Sequence, residues 1–295
     1  MIGTLLFDKT GLYGAGRRIL YRSCIAVASS RDDAANRCSA SDARSQTTEL
    51  LFTSANAFGF KRVVRDVECG ELRLMHGAVE QGRQRYGTAL DQTPLGYFHV
   101  DGPFGEAMRA LAPRGDIAVV GLGVGAAAAY AADGQRTVFL EIDPDVVHIA
   151  RSYFTFLSGS RGAIEVRVGD GLALLRAMEQ ERFAAIVVDA YDEQDVPTHF
   201  LQRDALALLL GRLSEGGALI LAATDGCDAV APTVATLAAE MGLAFATRRD
   251  VMTADVELRG ERQTSRYVAL ALESATLAPL VDGAGWQVGL APQNG

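Results

Sequence analysis

Cysteine and histidine are scarce in this chain. Its 295 residues include four cysteines (Cys24, Cys38, Cys69, Cys227) and four histidines (His76, His99, His148, His199). No two cysteines form a CxxC pair and the histidines are scattered, so the spacing that builds a zinc site is missing and no metal is expected. A reduced, cytoplasmic protein is the simplest reading. Positive charge is short as well: 28 Lys and Arg face 36 Asp and Glu, a net charge of -8. No basic stripe is available to neutralise phosphates, which argues against a nucleic-acid partner. Long apolar runs are also missing. The longest, "IAVVGLGVGAAAAYAA", is punctuated by glycine and short for a membrane span. The start "MIGTLLFDKTGLYGAGRR" lacks a basic leader followed by an apolar core. No membrane partner is expected.

What is present is globular: 49% of residues are hydrophobic and 22% charged, in a chain long enough for one large domain or a large and a small one. Residues 1–50 are a poorly defined N-terminal segment. "TLLFD" and "RRILYR" suggest two short strands, and "SSRDDAANRCSASDARSQTTE" reads as a linker. Residues 51–98 form a small β-hairpin module, because "FKRVVRDV", "GELRLMHG" and "VEQGRQRY" partly alternate and break at Gly70 and Gly77. "GPFGEAMRALAP" predicts a helix stopped by Pro113.

From Gly115 strands and helices alternate. The strands are "DIAVVGLG", "RTVFLEI", "AIEVRVGD", "FAAIVVDA" and "GALILAA". Between them lie "VGAAAAYAAD", "DPDVVHIARSYF", "GLALLRAMEQ", "HFLQRDALALLLGRL" and "DAVAPTVATLAAEMG", all read as helices. "AFATRRDV" and "RYVALAL" close the set as strands. The order predicts an α/β fold: a Rossmann-like, doubly wound, mostly parallel sheet with a late antiparallel addition. It spans residues 99–275, and residues 276–295 read as a tail. In such sheets ligands bind beyond the carboxyl ends of the strands.

Those ends carry the chemistry. The first strand runs into Gly121, Gly123 and Gly125, which let the backbone turn sharply and approach a ligand. The second ends at Glu141, twenty residues after Gly121, where an acid accepts hydrogen bonds from ribose hydroxyls. Asp143 follows at a helix start. The third strand ends in "VGDG", with Asp170 able to face an adenine amino group and Gly171 next to it. The fourth runs into Asp189, and Asp192, Glu193 and Asp195 follow within six positions. Four such carboxylates repel one another and raise one another's pKa unless a cation sits among them. An NAD-binding fold explains the first two strand ends only. A nucleoside with a sulfonium tail explains all four.

"VVGLGVGAAAAYA", "VFLEIDPDVVHIARSYF", "VRVGDGLALL" and "IVVDAYDEQDVPTHFLQRDAL" resemble the spermidine/spermine synthase family, and are closest to its divergent spermidine-synthase-like members. The resemblance covers roughly residues 56–273 and implies the class I methyltransferase type of fold. It implies transfer of an aminopropyl group from decarboxylated S-adenosylmethionine to an amine or polyamine, with a homodimer compatible. By resemblance Glu141 holds ribose and Asp170 adenine, with the three glycines, Asp143 and Gly171 in the same nucleoside site. Asp189 takes the attacking amine's proton, Asp192 grips the acceptor, and Tyr97 stands beside them. Gln84, Tyr191 and Glu193 contact substrate. The chain departs from the family at Val124, where an aspartate usually meets the aminopropyl ammonium, and at Phe98 after Tyr97. An S-adenosylmethionine-dependent methyltransferase, a sulfonium-driven cyclase and a non-catalytic polyamine- or nucleoside-binding protein remain the alternatives.

Overall fold

The computed structural model describes residues 48–87, 91–112, 115–191, 197–223, 230–253, 262–282 and 285–289. The strands expected in "TLLFD" and "RRILYR", Asp192, Glu193 and Asp195 lie outside the described residues.

Four antiparallel strands come first: β1 (Thr48–Asn56), β2 (Gly59–Asp66), β3 (Glu71–His76) and β4 (Val79–Arg85), hydrogen-bonded in that order. The alternation in "FKRVVRD" and "ELRLMH" buries Val63 and Leu74 completely and leaves their sequence neighbours half-buried on the other face. Gly70 and Gly77 sit in the turns with φ of 67° and 57°. The sequence pattern begins this module at residue 51 with three strands. The structure adds β1, which among the described residues pairs only with β2. Its stretch "TELLFTSAN" buries no residue fully; backbone pairing with β2 and the half-buried Leu51 and Phe52 against the core make it a strand.

The second sheet has eight strands. They are β5 (Ile117–Val120), β6 (Arg136–Glu141), β7 (Ala163–Val168), β8 (Phe183–Val188), β9 (Leu213–Ala222), β10 (Ala244–Asp250), β11 (Ser265–Ala271) and β12 (Gln287–Val288). Their order is β12-β10-β11-β9-β8-β5-β6-β7. Neighbours from β7 to β9 are parallel, while β11 runs antiparallel to both β9 and β10. This is the doubly wound sheet of the class I methyltransferase type. The helices are α1 (Pro103–Leu111), α2 (Pro144–Tyr153), α3 (Gly171–Ala177), α4 (Arg203–Leu210), α5 (Val230–Met241) and α6 (Ser274–Val281). All four residues of β5 are buried, as a strand covered on both faces requires. One core layer contains Phe104, Phe139 and Tyr267, and the other Ile186, Leu206 and Leu219.

Three local expectations are revised. "VGAAAAYAAD" forms only a 3₁₀ turn, Ala126–Tyr130. Its amides bond three residues back, Ala128 to Gly125 and Ala131 to Ala128, and Ala131 is already extended. Tyr130 anchors the turn by donating to the Phe98 carbonyl. The helix expected in "HFLQRDALALLLGRL" divides into a 3₁₀ turn and α4, because Gln202 is extended. Beyond β11, α6 and β12 form: Leu277 and Leu280 are buried, and β12 pairs with β10.

Candidate active site

The carboxyl ends of β5, β6 and β8 and the start of α3 border a cavity of about 840 Å³. Its opposite wall is made by the two hairpin turns of the N-terminal sheet, Ala57–Phe60 and His76–Val79.

Gly121 fixes how close the strands come there. Its φ is 95°, and a Cβ would lie 2.3 Å from the Asp189 carbonyl oxygen. The Gly121 amide donates to Leu140 and the Asp189 amide to Val120. Any side chain at 121 would push Asp189 off β5. Gly123 lies under the Gln81 carbonyl, 2.9 Å from where a Cβ would stand. Gly125, in the left-handed region, opens the 3₁₀ turn. Val124 is 1% exposed and packs against Gly82, where an added Cβ would be 2.7 Å from its methyl. Val124 does not line the cavity.

Glu141 is buried at the end of β6. Its Oε2 accepts from the Leu122 amide at 2.9 Å and its Oε1 from the Asp143 amide at 2.8 Å. Each oxygen retains a lone pair for a hydroxyl donor. Burial pushes the carboxyl up to about 7, against the pull of those amides and with the Asp143 charge adding to the rise. Asp143 is occupied differently. Its carboxylate caps α2 through the Asp145 amide and accepts from Lys61 and Asn56. Burial alone would raise Asp143, but these bonds hold it below the usual carboxylate range. Asp170 lines the cavity and caps α3, accepting from the Ala173 amide at 2.8 Å. Gly171 packs on Val120, which a Cβ would meet at 2.5 Å.

Asp189 follows β8 and faces the same cavity. Burial pushes it up to about 7, a hydrogen bond from Tyr191 opposes the rise, and the Glu141 charge reinforces it. Its Oδ1 is sealed from solvent and has no hydrogen-bond partner among the described residues. Tyr191 lines the cavity as well. Tyr97 is set back: its hydroxyl donates to the Gln81 carbonyl at 3.2 Å, bracing β4 over the glycine loop. Gln84 is not in the cavity wall. Its amide holds Asp91 and Thr155, with bonds of 2.8–2.9 Å. The cavity therefore joins Gly121, Gly123, Glu141, Asp143, Asp170, Gly171, Asp189 and Tyr191, and leaves Gln84, Tyr97 and Gly125 outside it.

Sequence reasoning missed Lys61. It is 1% exposed, lies in the cavity wall and pairs with Asp143. In "FKRVVRD" the charge of Lys61 reads as solvent-facing, although its place two positions before Val63 puts it on the buried face of the strand.

Sheet order and cavity define a Rossmann-like α/β protein of the class I methyltransferase type, open at the carboxyl edge of its sheet. Within that class, residues 116–256 match the family described as the spermine/spermidine synthase domain, as the motifs quoted above imply. That segment is a little under half of the chain. The crystal structure of spermidine synthase from Thermotoga maritima superposes with a TM-score of 0.55 at 13% identity, covering 78% of this chain and 75% of that one. A probable spermidine synthase from Corynebacterium glutamicum gives 0.55 at 16% identity, over 82% of this chain and 91% of that one. A spermidine synthase in complex with the transition-state analogue AdoDATO gives 0.55 at 12% identity, over 78% and 74%. No curated protein matches the chain. The family match over that segment indicates a transferase, and the solved structures show the shared fold.

Proposed function

We propose that the protein moves an aminopropyl group from decarboxylated S-adenosylmethionine to an amine or polyamine acceptor, with Asp189 as general base. The observation that carries this reading is the Asp189 carboxyl: a sealed Oδ1 without a partner among the described residues, on the cavity it shares with Glu141 and Asp170. A buried acceptor atom is costly to leave unsatisfied, by about 1–3 kcal/mol. An amine N–H supplies the missing donor. A pKa of about 7 suits a base that works near neutral pH.

In this reading Glu141 receives the ribose hydroxyls on its two amide-fixed oxygens and Asp170 meets the adenine. The glycine loop lets the nucleoside lie close to the backbone. The amine nitrogen attacks the carbon next to sulfur from the far side. The carbon–sulfur bond breaks, the sulfur leaves as the neutral thioether 5′-methylthioadenosine, and the nitrogen's proton passes to Asp189. The rate gain comes from holding the reactants in line and keeping the attacking nitrogen unprotonated. Asp192 and Glu193 keep their proposed part in gripping the acceptor, next in sequence to Tyr191.

Val124 favours a second reading, S-adenosylmethionine-dependent methyl transfer. Its side chain is apolar, buried against Gly82 and out of the cavity, so it offers no anion to an aminopropyl ammonium. Calorimetry with the two sulfonium nucleosides side by side, followed by mass spectrometry of amine products, separates the readings. Tighter binding of the decarboxylated donor and a product heavier by one aminopropyl group are expected. Preference for the carboxylated donor and a methylated product would overturn the first reading.

A further inference from the structure

Lys61 lies on β2 of the N-terminal sheet, yet its ammonium is buried at the mouth of β6. It donates to Asp143 and, at 2.7 Å, to Asn56 Oδ1. Asn56 in turn donates to Asp143 Oδ1 and to Asp145 Oδ2, each at 2.8 Å. Ser54 adds a bond to Asp145. Ser54, Asn56 and Lys61 flank the β1–β2 turn, and that turn is part of the cavity wall. On the other side, the Asp143 amide donates to Glu141 Oε1. A continuous set of bonds therefore runs from the hairpin through Lys61 and Asp143 to Glu141.

We propose that Lys61 is a positioning residue of the nucleoside site: through Asp143 it fixes the carboxylate that receives the ribose, and it ties the β1–β2 hairpin across the cavity. The inference rests on the nucleoside-binding reading above. It assigns Asp143, expected from sequence to contact the nucleoside, to holding the site together instead, since Lys61, Asn56 and the Asp145 amide already occupy both of its oxygens.

The electrostatics explain why a lysine is needed. Glu141 and Asp143 are 7% and 3% exposed and two positions apart. The negative charge of Asp143 disfavours ionisation of Glu141, and an ionised Glu141 is the better acceptor for ribose hydroxyls. Asp189 adds a further negative charge. Asp170, Asp145, Tyr191, His76 and His199 are further titratable groups around this cavity and its clasp. Lys61, in ion-pair contact with Asp143, offsets the nearest of these charges. A polar residue that only filled space there would leave two adjacent buried acids without a cation.

The test is the pH dependence of 5′-methylthioadenosine binding to the full chain, measured by calorimetry from pH 5.5 to 9 for the parent, Lys61→Met, Lys61→Arg and Asp143→Asn. Parent binding should weaken below about pH 7, where Glu141 takes up its proton. Lys61→Met should bind about 5- to 20-fold more weakly at pH 7, with the midpoint raised by about one unit. Lys61→Arg should restore most of the affinity. Asp143→Asn removes the repelling charge but leaves Lys61 in place, so its midpoint should fall below the parent's. If Lys61→Met does not fold, the direction of the Asp143→Asn midpoint decides. A midpoint unchanged in either folded variant overturns the inference and leaves the nucleoside reading standing. Failure of the parent to bind the nucleoside at any pH overturns both.

Discussion

In the N-terminal sheet, Glu71 is 1% exposed and lies 3.2 Å from Arg73 and 3.4 Å from Arg83. At the carboxyl edge of the parallel sheet, Glu141 is buried and Asp189 half-buried, with no ion pair among the described residues. Their partners are backbone amides and the Tyr191 hydroxyl. Burial raises all three carboxyls, and only Glu71 has guanidinium groups opposing it. In the proposed reading the contrast separates acids held for structure from acids kept for a ligand. A buried charge with a matched cation is satisfied by the fold itself, whereas one without a cation gains when a donor arrives.

The largest effect expected from this contrast is on turnover. Asp189→Asn keeps the shape and removes proton acceptance, so amine transfer should fall about 10²- to 10⁴-fold while nucleoside affinity stays near the parent's. Parental turnover in this variant, measured with the acceptor the parent uses, would break the distinction between the two sets of acids. Next in size is the donor. Glu141→Ala removes charge-assisted hydrogen bonds, each of order 1.5–3 kcal/mol, and titration should show nucleoside binding weakened about 10- to 100-fold with the fold intact. Asp170→Ala should weaken it by a similar or smaller factor, and unchanged binding in both variants would mean the nucleoside lies elsewhere.

A smaller effect is written in the pH dependence of stability. Between about pH 4, where carboxyls ionise in the unfolded chain, and about pH 7, where Asp189 and Glu141 ionise in the folded one, the native state binds more protons than the unfolded. Stability of the ligand-free protein must therefore fall as pH rises through that window. Thermal unfolding should occur at a lower temperature at pH 8 than at pH 5. Asp189→Asn should flatten the fall, since it removes one of the groups responsible. A melting temperature independent of pH would show that the two carboxyls are not held neutral by burial.

The smallest effect sharpens the same comparison with hydroxyls. Tyr130 donates to the Phe98 carbonyl, and Tyr130→Phe should cost about 0.5–1.5 kcal/mol in denaturant unfolding. The Tyr267 hydroxyl has no partner among the described residues, so Tyr267→Phe should leave stability unchanged or slightly higher. A loss as large as that of Tyr130→Phe would reveal a bond to Tyr267 in solution.

The sequence by itself determined the alternation from β5 onward and the positions of the acids. Runs such as "IAVV" and "FAAIVV" are apolar throughout because parallel strands are covered on both faces, and that pattern is local. Glycines at 121 and 123 and acids at 141, 170 and 189 follow from the same rule, since strand ends are where such residues sit together. Tertiary structure decided what depends on residues far apart in the chain. Whether "TELLFTSAN" is a strand rests on pairing with β2, and "VGAAAAYAAD" lost its helix to a tertiary anchor at Phe98. Gln84 meets Thr155, 71 positions away, and lies outside the cavity wall. Lys61 meets Asp143 across 82 positions. Only the folded chain removes water from both, and without that removal a lysine in an alternating strand is just another solvated charge.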